Sequence, residues 1–279
     1  MKINLNAVEN ISYEKSYVAF LDVLGFKNLV MSNKKKDKVK LEQYFGIVNS
    51  AIEYLKGIPS KKNIRSIIIS DSVILSVPHG QNNQENIDKL RHLCVAVGLI
   101  QQYLALKNIW LRGAISSGDT YFNSEKGQIV GPAYINSYLL EGSIAISPRV
   151  VLDSKIIEEL EFSSATEFID SMNKMDDGGL SYSNWHSSIL YSWHYPDGKV
   201  VTLIEQDIAL FIDYLSPVVN SNGHRLLTII GNLENNMYNN TTTYKKFRWV
   251  ADYLKSICIK EKKNDNDVSS EAYDRLNNL

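Results

Sequence analysis

The chain has 279 residues, of which 44% are hydrophobic and 22% are charged, and its formal net charge is −1. This composition is typical of a globular protein with a sizeable core, and it gives no global field that would attract nucleic acid or an acidic membrane. Cys94 and Cys258 are too few for a disulfide framework and lack the spacing of a metal site. No run is long enough to span a bilayer, and the N-terminus lacks a signal-peptide apolar region. We therefore expect a cytoplasmic protein that neither binds nucleic acid nor spans a membrane.

An apolar run that ends in a carboxylate lies near the N-terminus. Val18-Ala-Phe-Leu21 predicts a strand buried on both faces, and Asp22 follows it directly. Gly25 then allows a tight turn into a helix, and the N–H groups of such a turn suit an anion such as phosphate. An ionised aspartate at the end of a buried strand is costly to desolvate unless it meets a cation. The pattern predicts a site for a cation and a phosphate at Asp22.

A second carboxylate lies between two further apolar runs. Ser70-Asp-Ser72 separates Ile67-Ile-Ile69 from Val73-Ile-Leu75, which predicts a β-hairpin with Asp71 at its tip. Two carboxylates at two strand ends suit a pair of Mg²⁺ or Mn²⁺ ions, which take oxygen ligands and bridge nucleotide phosphates. The competing interpretation is that both aspartates are ordinary turn and cap residues.

The other elements up to residue 160 alternate between helix and strand. They are a short helix from about Lys27, a solvated charge run over 33–38, helices over 39–55 and 87–106, a strand over 109–118, a helix over 133–142, a strand over 144–152 and a helix over 154–160. A hairpin inside such an alternation predicts an α+β sandwich, with helices packed on one face of a mixed sheet.

The chain divides by composition into four stretches. A polar lead-in covers 1–15, the alternating α+β unit covers 16–160, a C-terminal extension packed on that unit covers 161–260, and a frayed polar tail covers 261–279. The extension is rich in Ser, Asn and Tyr; it contains an apolar segment over 209–215 and predicted helices over 225–233 and 244–259.

With both aspartates and this element order in place, the chain resembles the class III nucleotidyl cyclases over about residues 16–152. The motifs that carry the resemblance are Phe20-Leu-Asp-Val-Leu-Gly-Phe26, Ser70-Asp-Ser72, Leu111-Arg-Gly-Ala-Ile-Ser-Ser-Gly118, and the helix from Gly131-Pro-Ala133 to Leu140-Glu141. A bacterial subset, the pyrimidine cyclases of Pycsar anti-phage defence, is similar in further motifs. These are Tyr138-Leu-Leu-Glu141, Pro148-Arg149, Ile212-Asp-Tyr-Leu215 and Lys245-Lys-Phe-Arg-Trp249.

The resemblance implies a ferredoxin-like core and conversion of UTP or CTP to the 3′,5′-cyclic monophosphate and pyrophosphate. It also implies two Mg²⁺ or Mn²⁺ ions, a homodimer with shared active sites, and an effector protein that responds to the product. The site residues carried over are metal ligands Asp22, Asp71 and the Val23 carbonyl, catalytic residues Asp22, Asp71, Tyr138 and Arg149, and nucleotide-binding residues Val23, Leu24, Gly25, Phe26 and Arg112.

Two departures from the family pattern bear on the chemistry. Purine cyclases carry a lysine four positions before the second aspartate, where this chain has Ile67, although Arg65 lies on the same strand face. The family's transition-state Asn and Arg, one helical turn apart, fall on Ile135 and Leu139, or on Asn136 and Leu140 after a one-residue slip. Neither register supplies the arginine, so Arg149 and Arg112 become the candidate cations, with Tyr138 as a donor.

Alternatives remain open for each of these residues and for the function. Tyr138 can pack its ring in the core, Arg112 can form a structural ion pair, and Arg149 can cap a neighbouring element. The function hypotheses are a pyrimidine cyclase, a purine cyclase with a rearranged base pocket, and an inactive cyclase fold that serves as a nucleotide-binding regulatory dimer.

Overall fold

The computed structural model describes residues 8–56, 64–173, 189–191, 210–221, 223–238, 241–263 and 270–279. Its strands are β1 (Glu14–Val23), β2 (Arg65–Ile69), β3 (Ser72–Pro78), β4 (Leu111–Asn123), β5 (Gln128–Val130), β6 (Val150–Leu152), β7 (Leu190–Tyr191) and β8 (Phe211–Ile212). Its helices are α1 (Phe26–Val30), α2 (Lys35–Lys56), α3 (Asn83–Leu106), α4 (Pro132–Ser143), α5 (Lys155–Glu159), α6 (Ala165–Asn173), α7 (Ser216–Val219), α8 (Gly223–Tyr238), α9 (Tyr244–Lys263) and α10 (Ser270–Asn277).

A mixed sheet runs through the protein in the order β2-β3-β1-β4-β6-β8-β7, and β5 pairs with β4. The β4–β6 pair is parallel and the other pairs are antiparallel. β1 lies at the centre of the α+β unit, between β3 and β4. Gly113 of β4 permits this close pairing, because a Cβ atom there would overlap the carbonyl oxygen of Phe20. The predicted mixed α+β architecture is confirmed.

The two faces of this sheet are covered differently. Alternate residues of β1, Tyr17, Ala19 and Leu21, point to a large apolar core that also contains buried residues of α2 and α3; we call this the first face. Val18 and Phe20 point the opposite way, into a smaller cluster under α4; we call this the second face. The prediction of helices on one face is therefore too narrow, because α4 packs on the second face.

The C-terminal extension continues the sheet and adds a helical layer. Val151 of β6 pairs with Phe211 of β8, so residues beyond 160 form part of the same sheet. Buried residues of α8, α9 and α10 pack against the second-face side of β4, β6 and β8 in one apolar cluster, which we call the C-terminal layer. Within the described ranges, every helix is too short or too polar to span a bilayer.

Three local predictions need correction. The charge run over 33–38 is not a loop throughout, because α2 begins at Lys35; lysine is a good helix former and its charges face solvent there. The strand predicted over 144–152 is confined to β6, since Pro148 donates no hydrogen bond to a ladder. The tail is not frayed throughout, because Ala272 and Leu276 of α10 are buried against the C-terminal layer.

Candidate active site at the end of the central strand

The two predicted aspartates lie side by side. Strand pairing places Asp22 opposite Ser72 of β3 on one side and opposite Arg112 of β4 on the other. The N–H of Val23 donates to the carbonyl oxygen of Asp71 at 3.1 Å, which joins the hairpin tip to the end of β1. Asp22 and Asp71 are thus distant in the chain but adjacent in space, because β1 and β3 are neighbouring strands, and we call them the acidic pair.

Asp22 lies on the second face and is only partly buried. Its side chain keeps 20% of its surface exposed, enough for contact with a ligand. Burial raises the pKa of Asp22 above its usual value, the nearby guanidinium of Arg112 opposes that rise, and the negative charge of Asp71 adds to it. Asp22 is therefore partly desolvated and lies near a second negative charge, an environment that a bound cation would stabilise.

Arg112 bridges Asp22 to Glu141, a third acid that the sequence motifs include but that was not named as a site residue. Its Nε atom lies 3.2 Å from Oδ2 of Asp22 and 2.7 Å from Oε1 of Glu141. Glu141 lies in the last turn of α4. Its side chain is buried, with 6% exposure, and this burial raises its pKa. The structural ion-pair interpretation of Arg112 is therefore confirmed, and this pairing fixes the side chain next to Asp22.

Tyr138 lies one helical turn before Glu141 on the same helix. Its ring packs edge-on against Phe20 with the ring centroids 5.3 Å apart, and the residue is 53% exposed. Ile135 and Leu139 on the same helix are also exposed. The second face next to the acidic pair thus carries an apolar stripe on α4 (Ile135, Tyr138 and Leu139).

The turn after β1 matches the sequence prediction in its backbone. Gly25 adopts a left-handed conformation with φ of 75° and precedes α1, and Phe26 is buried against Tyr44 with ring centroids 5.6 Å apart. Leu24 requires a correction. Its N–H donates to the carbonyl oxygen of Trp110 at 2.8 Å, so it is already used and does not serve as a phosphate donor in this structure. The N–H of Val23 is also used, because it donates to Asp71, so the prediction for Val23 concerns only its carbonyl oxygen as a metal ligand.

Arg149 contacts the C-terminal end of α4, as the capping interpretation of this residue expected. Its guanidinium stacks over the ring of Trp249 at 4.9 Å from the ring centroid, and its Nη2 donates to the carbonyl oxygen of Ile144 at 2.9 Å. The residue is buried between the sheet and the C-terminal layer. These contacts favour a structural role, because a catalytic cation has to reach the substrate.

Two residues near the acidic pair were missed from the sequence. The hydroxyl of Tyr44 on α2 is buried and makes no hydrogen bond within the described ranges. Burial raises the pKa of Tyr44, and the charges of Asp71 and Asp22 add to the rise. Lys246 on α9 is half-buried, and its positive charge acts on both Asp22 and Glu141. Lys246 lies within the motif Lys245-Lys-Phe-Arg-Trp249, but neither residue was named as a site residue, because their placement depends on how α2 and α9 dock.

The donor chemistry of the pair fits a divalent cation. Asp22 and Asp71 offer carboxylate oxygens, the ligands that Mg²⁺ prefers when substrate phosphates and water complete its coordination. No cluster of three or more His, Cys, Asp or Glu side chains arranged around a metal occurs in the part of the chain that the structure describes.

Comparisons with known proteins yield structural matches alone. No protein-family model matches the chain, and no curated protein matches it. Among solved structures, the adenylyl cyclase CyaB from P. aeruginosa matches with a TM-score of 0.41 and 14% identity, covering 55% of this chain and 83% of that one. A guanylyl cyclase matches with a TM-score of 0.41 and 12% identity over 73% and 93% of the two chains. A bacterial light-regulated adenylyl cyclase matches with a TM-score of 0.36 and 15% identity, covering 53% of this chain and 79% of that one. Because these TM-scores are below 0.5, the matches support no conclusion about activity or substrate.

Proposed function

We propose that this protein is a nucleotidyl cyclase that converts UTP or CTP to the 3′,5′-cyclic monophosphate and pyrophosphate. The observation that carries the proposal is the acidic pair: Asp22 and Asp71, from separate elements, are adjacent at the partly exposed end of the central strand. Carboxylates in this arrangement suit divalent ions that bind a nucleoside triphosphate. The family motifs around both aspartates support the same assignment.

The reaction exchanges a phosphoanhydride bond for a phosphoester bond. The ribose 3′-oxygen bonds to the α-phosphorus, the bond from that phosphorus to the bridging oxygen of pyrophosphate breaks, and the hydroxyl proton passes to solvent. Positioning and charge neutralisation provide most of the catalysis in such phosphoryl transfers. Divalent ions, when bound, lower the pKa of the 3′-hydroxyl and neutralise charge on the triphosphate.

The residues of this chain have distinct parts in that scheme. Asp22 and Asp71 hold the ions, and the Val23 carbonyl adds a ligand. Arg112 orients Asp22 through the ion pair described above and is itself fixed by Glu141. The turn at Gly25 and Phe26 brings backbone N–H groups near the phosphates. Tyr138, exposed beside Phe20, donates a hydrogen bond to the ribose or base.

The proposed preference for a pyrimidine base depends on residue 67, the position at which purine cyclases carry a lysine that binds the base. Ile67 occupies that position and is buried in the second-face cluster with Phe20 and Ile74, so it offers no hydrogen bond to a base. Arg65, on the same strand face, forms an ion pair with Glu14 and lies over the ring of Phe122. Neither side chain is arranged to replace the family lysine, which supports a pyrimidine substrate.

A second copy of this chain is the proposed partner. The apolar stripe on α4 adjoins the acidic pair and has three exposed apolar or aromatic residues, Ile135, Tyr138 and Leu139. Contiguous exposed apolar surface of this kind marks interaction sites. A two-fold dimer that covers the stripe would give two equivalent sites. The resemblance to the Pycsar subset extends the proposal to a second messenger that acts on a separate effector protein in anti-phage defence.

A nucleotide-binding regulatory dimer is the second candidate function. The ion pair between Arg112 and Asp22 favours it, because a cation that occupies the carboxylate competes with a metal ion. In this case the protein would bind nucleoside triphosphates without turning them over.

One experiment separates these candidates. The purified protein is incubated with ATP, GTP, CTP and UTP and Mn²⁺, and the products are resolved by anion-exchange chromatography and mass spectrometry. We expect cyclic UMP or cyclic CMP from the wild type. A cyclic purine product would establish the purine alternative, and binding without any product would establish the regulatory dimer.

Shared sites are tested by complementation. Asp71→Ala and Tyr138→Ala proteins, each inactive or weakly active alone, are mixed and allowed to exchange subunits. We expect partial recovery of activity, because one intact site forms in each heterodimer. If both variants are folded and dimeric and the mixture stays inactive, sites that combine these two residues across the dimer are excluded.

A further inference from the structure

The first turn of α9 lies over the end of the central strand. The ring of Phe247 packs edge-on against Trp110 with the ring centroids 5.3 Å apart. The carbonyl of Trp110 in turn accepts the N–H of Leu24, two residues after Asp22, and the Leu24 side chain packs against the C-terminal layer. The start of a helix from the C-terminal extension is therefore anchored beside the acidic pair.

Lys246 directly precedes Phe247 in this first turn. It is half-buried, whereas its neighbour Lys245 is exposed. Leu140, next to Glu141, also packs against the C-terminal layer, so this layer reaches the α4 side of the site as well. Consistent with this placement, the positive charge of Lys246 opposes the raised pKa of both Asp22 and Glu141. The anchoring contacts of Phe247 and Leu24 thus place the first turn of α9, with the half-buried Lys246, near the acidic pair.

The arginines near the site are already engaged by other groups, so a further cation would have to neutralise the charge of a triphosphate. Helix α4, over residues 132–143, contains no lysine or arginine, so it cannot supply the cation that the family places there. Arg112 is already held between two carboxylates, and Arg149 is stacked on Trp249. A triphosphate brings several negative charges, and attack of the 3′-oxygen on the α-phosphorus shifts charge onto the leaving pyrophosphate. Further positive charge from the chain would stabilise that change.

We propose that Lys246, delivered by the C-terminal extension, is the cation that binds the triphosphate and stabilises the leaving pyrophosphate. This inference rests on the proposed cyclase function. It assigns the extension a direct part in the active site: α9 compensates for the missing arginine on α4. The two helices meet the substrate from neighbouring positions, and the site is complete when the C-terminal layer is docked on the sheet.

The test compares two adjacent lysines in the full-length protein. Lys246→Met removes the charge and keeps most of the aliphatic stem, Lys245→Met is the matched exposed control, and Lys246→Arg keeps the charge. We expect Lys246→Met to lower kcat by about 100-fold with Mn²⁺ and the preferred triphosphate, the size of effect seen when one transition-state donor is removed. Lys245→Met should match the wild type, and Lys246→Arg should recover part of the loss. Equal kcat values for Lys246→Met and the wild type would overturn the inference.

A binding measurement keeps the test independent of turnover. The 3′-deoxynucleoside triphosphates lack the attacking hydroxyl, so calorimetry with Mn²⁺ reports binding alone. We expect Lys246→Met to raise Kd by about tenfold relative to Lys245→Met, equivalent to the loss of one charge-assisted contact. If the wild type forms no cyclic product, the cyclase proposal fails and this Kd comparison decides the role of Lys246. Unchanged Kd with a lowered melting temperature shows a structural lysine, and absence of binding by the wild type overturns both proposals.

Discussion

The two faces of strand β1 differ in what they contribute. On the first face, Tyr17, Ala19 and Leu21 are fully buried in the core beneath α2 and α3. On the second face, Phe20 is covered by α4, and Asp22, two residues on, remains partly exposed. One strand therefore supplies both the packing that holds the sheet and the carboxylate that faces a ligand. Alternation along a strand makes this possible, because a change on one face leaves the other in register.

The first face of β1 contributes mainly to stability and the second face to ligand binding, and single substitutions can test this division. Burial of apolar surface on the first face stabilises the fold. Charges held in a partly desolvated position on the second face cost stability and serve binding. Substitutions on the first face should therefore unfold the protein without a specific effect on chemistry, and substitutions at the acidic pair should do the reverse.

The largest expected effect is on turnover at the acidic pair. Asp71→Asn removes a metal-binding charge at the hairpin tip and leaves the backbone bond from Val23 to residue 71 available. We expect the rate of cyclic nucleotide formation to fall by about 1,000-fold or more, because ion binding and phosphate positioning are lost together. Product formation at saturating Mn²⁺ is the measurement, and Asp170→Asn, at an exposed position on α6, is the control. Full activity of Asp71→Asn would contradict the metal-site assignment.

The next largest effect concerns stability on the first face. Leu75 of β3 is fully buried in the first-face core, whereas Ile69 of β2 lies on the second face and is 55% exposed. We expect Leu75→Ala to lower the free energy of unfolding by about 2–5 kcal/mol through the cavity it leaves. Ile69→Ala should change it by about 0.5 kcal/mol or less. Chemical denaturation measures both, and equal losses for the two variants would remove the distinction between the faces.

The sequence predicted the parts of the site that depend on local pattern. The apolar run before Asp22, the glycine turn after it and the hairpin around Asp71 each lie within one short stretch, so periodicity and turn chemistry were sufficient. Their adjacency followed from the expectation that the strands share a sheet. Gly113 is a local feature of the same kind, because a glycine within a strand allows a neighbouring backbone to approach closely, here the carbonyl of Phe20.

The parts that the sequence did not predict depend on contacts between distant segments. No local sequence pattern shows that Arg112 pairs with Glu141, or that Arg149 stacks on Trp249. These choices follow from how α4 and the C-terminal layer dock on the second face. Helix α10 left a usable signal, because Ala272 and Leu276 are four residues apart and both buried, but the polar residues around them obscured it.

A smaller effect is expected for association through the apolar stripe. Leu139 is 57% exposed on α4, and a glutamate there would place a charge in the interface of the proposed dimer. We expect Leu139→Glu to raise the dimer dissociation constant by about tenfold or more, equivalent to about 1.4 kcal/mol. Light scattering across a concentration series measures it, with Val39→Glu at an exposed position on α2 as control. A wild-type protein that stays monomeric at every concentration would contradict the proposed partner.

The smallest expected effect concerns the stability cost of Asp22 itself. Burial raises the pKa of Asp22 above its ordinary value of 3.8, so the folded state holds this proton more tightly than the unfolded state. The contribution of this carboxyl to stability is therefore present below about pH 4 and lost as pH rises through the folded pKa. Asp22→Asn stays neutral, so we expect it to melt about 2–4 °C above the wild type at pH 8 without divalent ions, for a difference of about 1 kcal/mol.

That advantage should shrink as the pH approaches 4, where the wild-type carboxyl takes up its proton. Calorimetry or circular dichroism over a pH series measures the effect, and Asp170→Asn controls for loss of one surface charge. Addition of Mn²⁺ and a 3′-deoxynucleoside triphosphate should reverse the order, because the ligand stabilises the form that binds it. If Asp22→Asn melts below the wild type at pH 8 without ligand, the ion pair with Arg112 outweighs the cost of desolvation. Asp22 would then stabilise the fold, as the buried residues of the first face do.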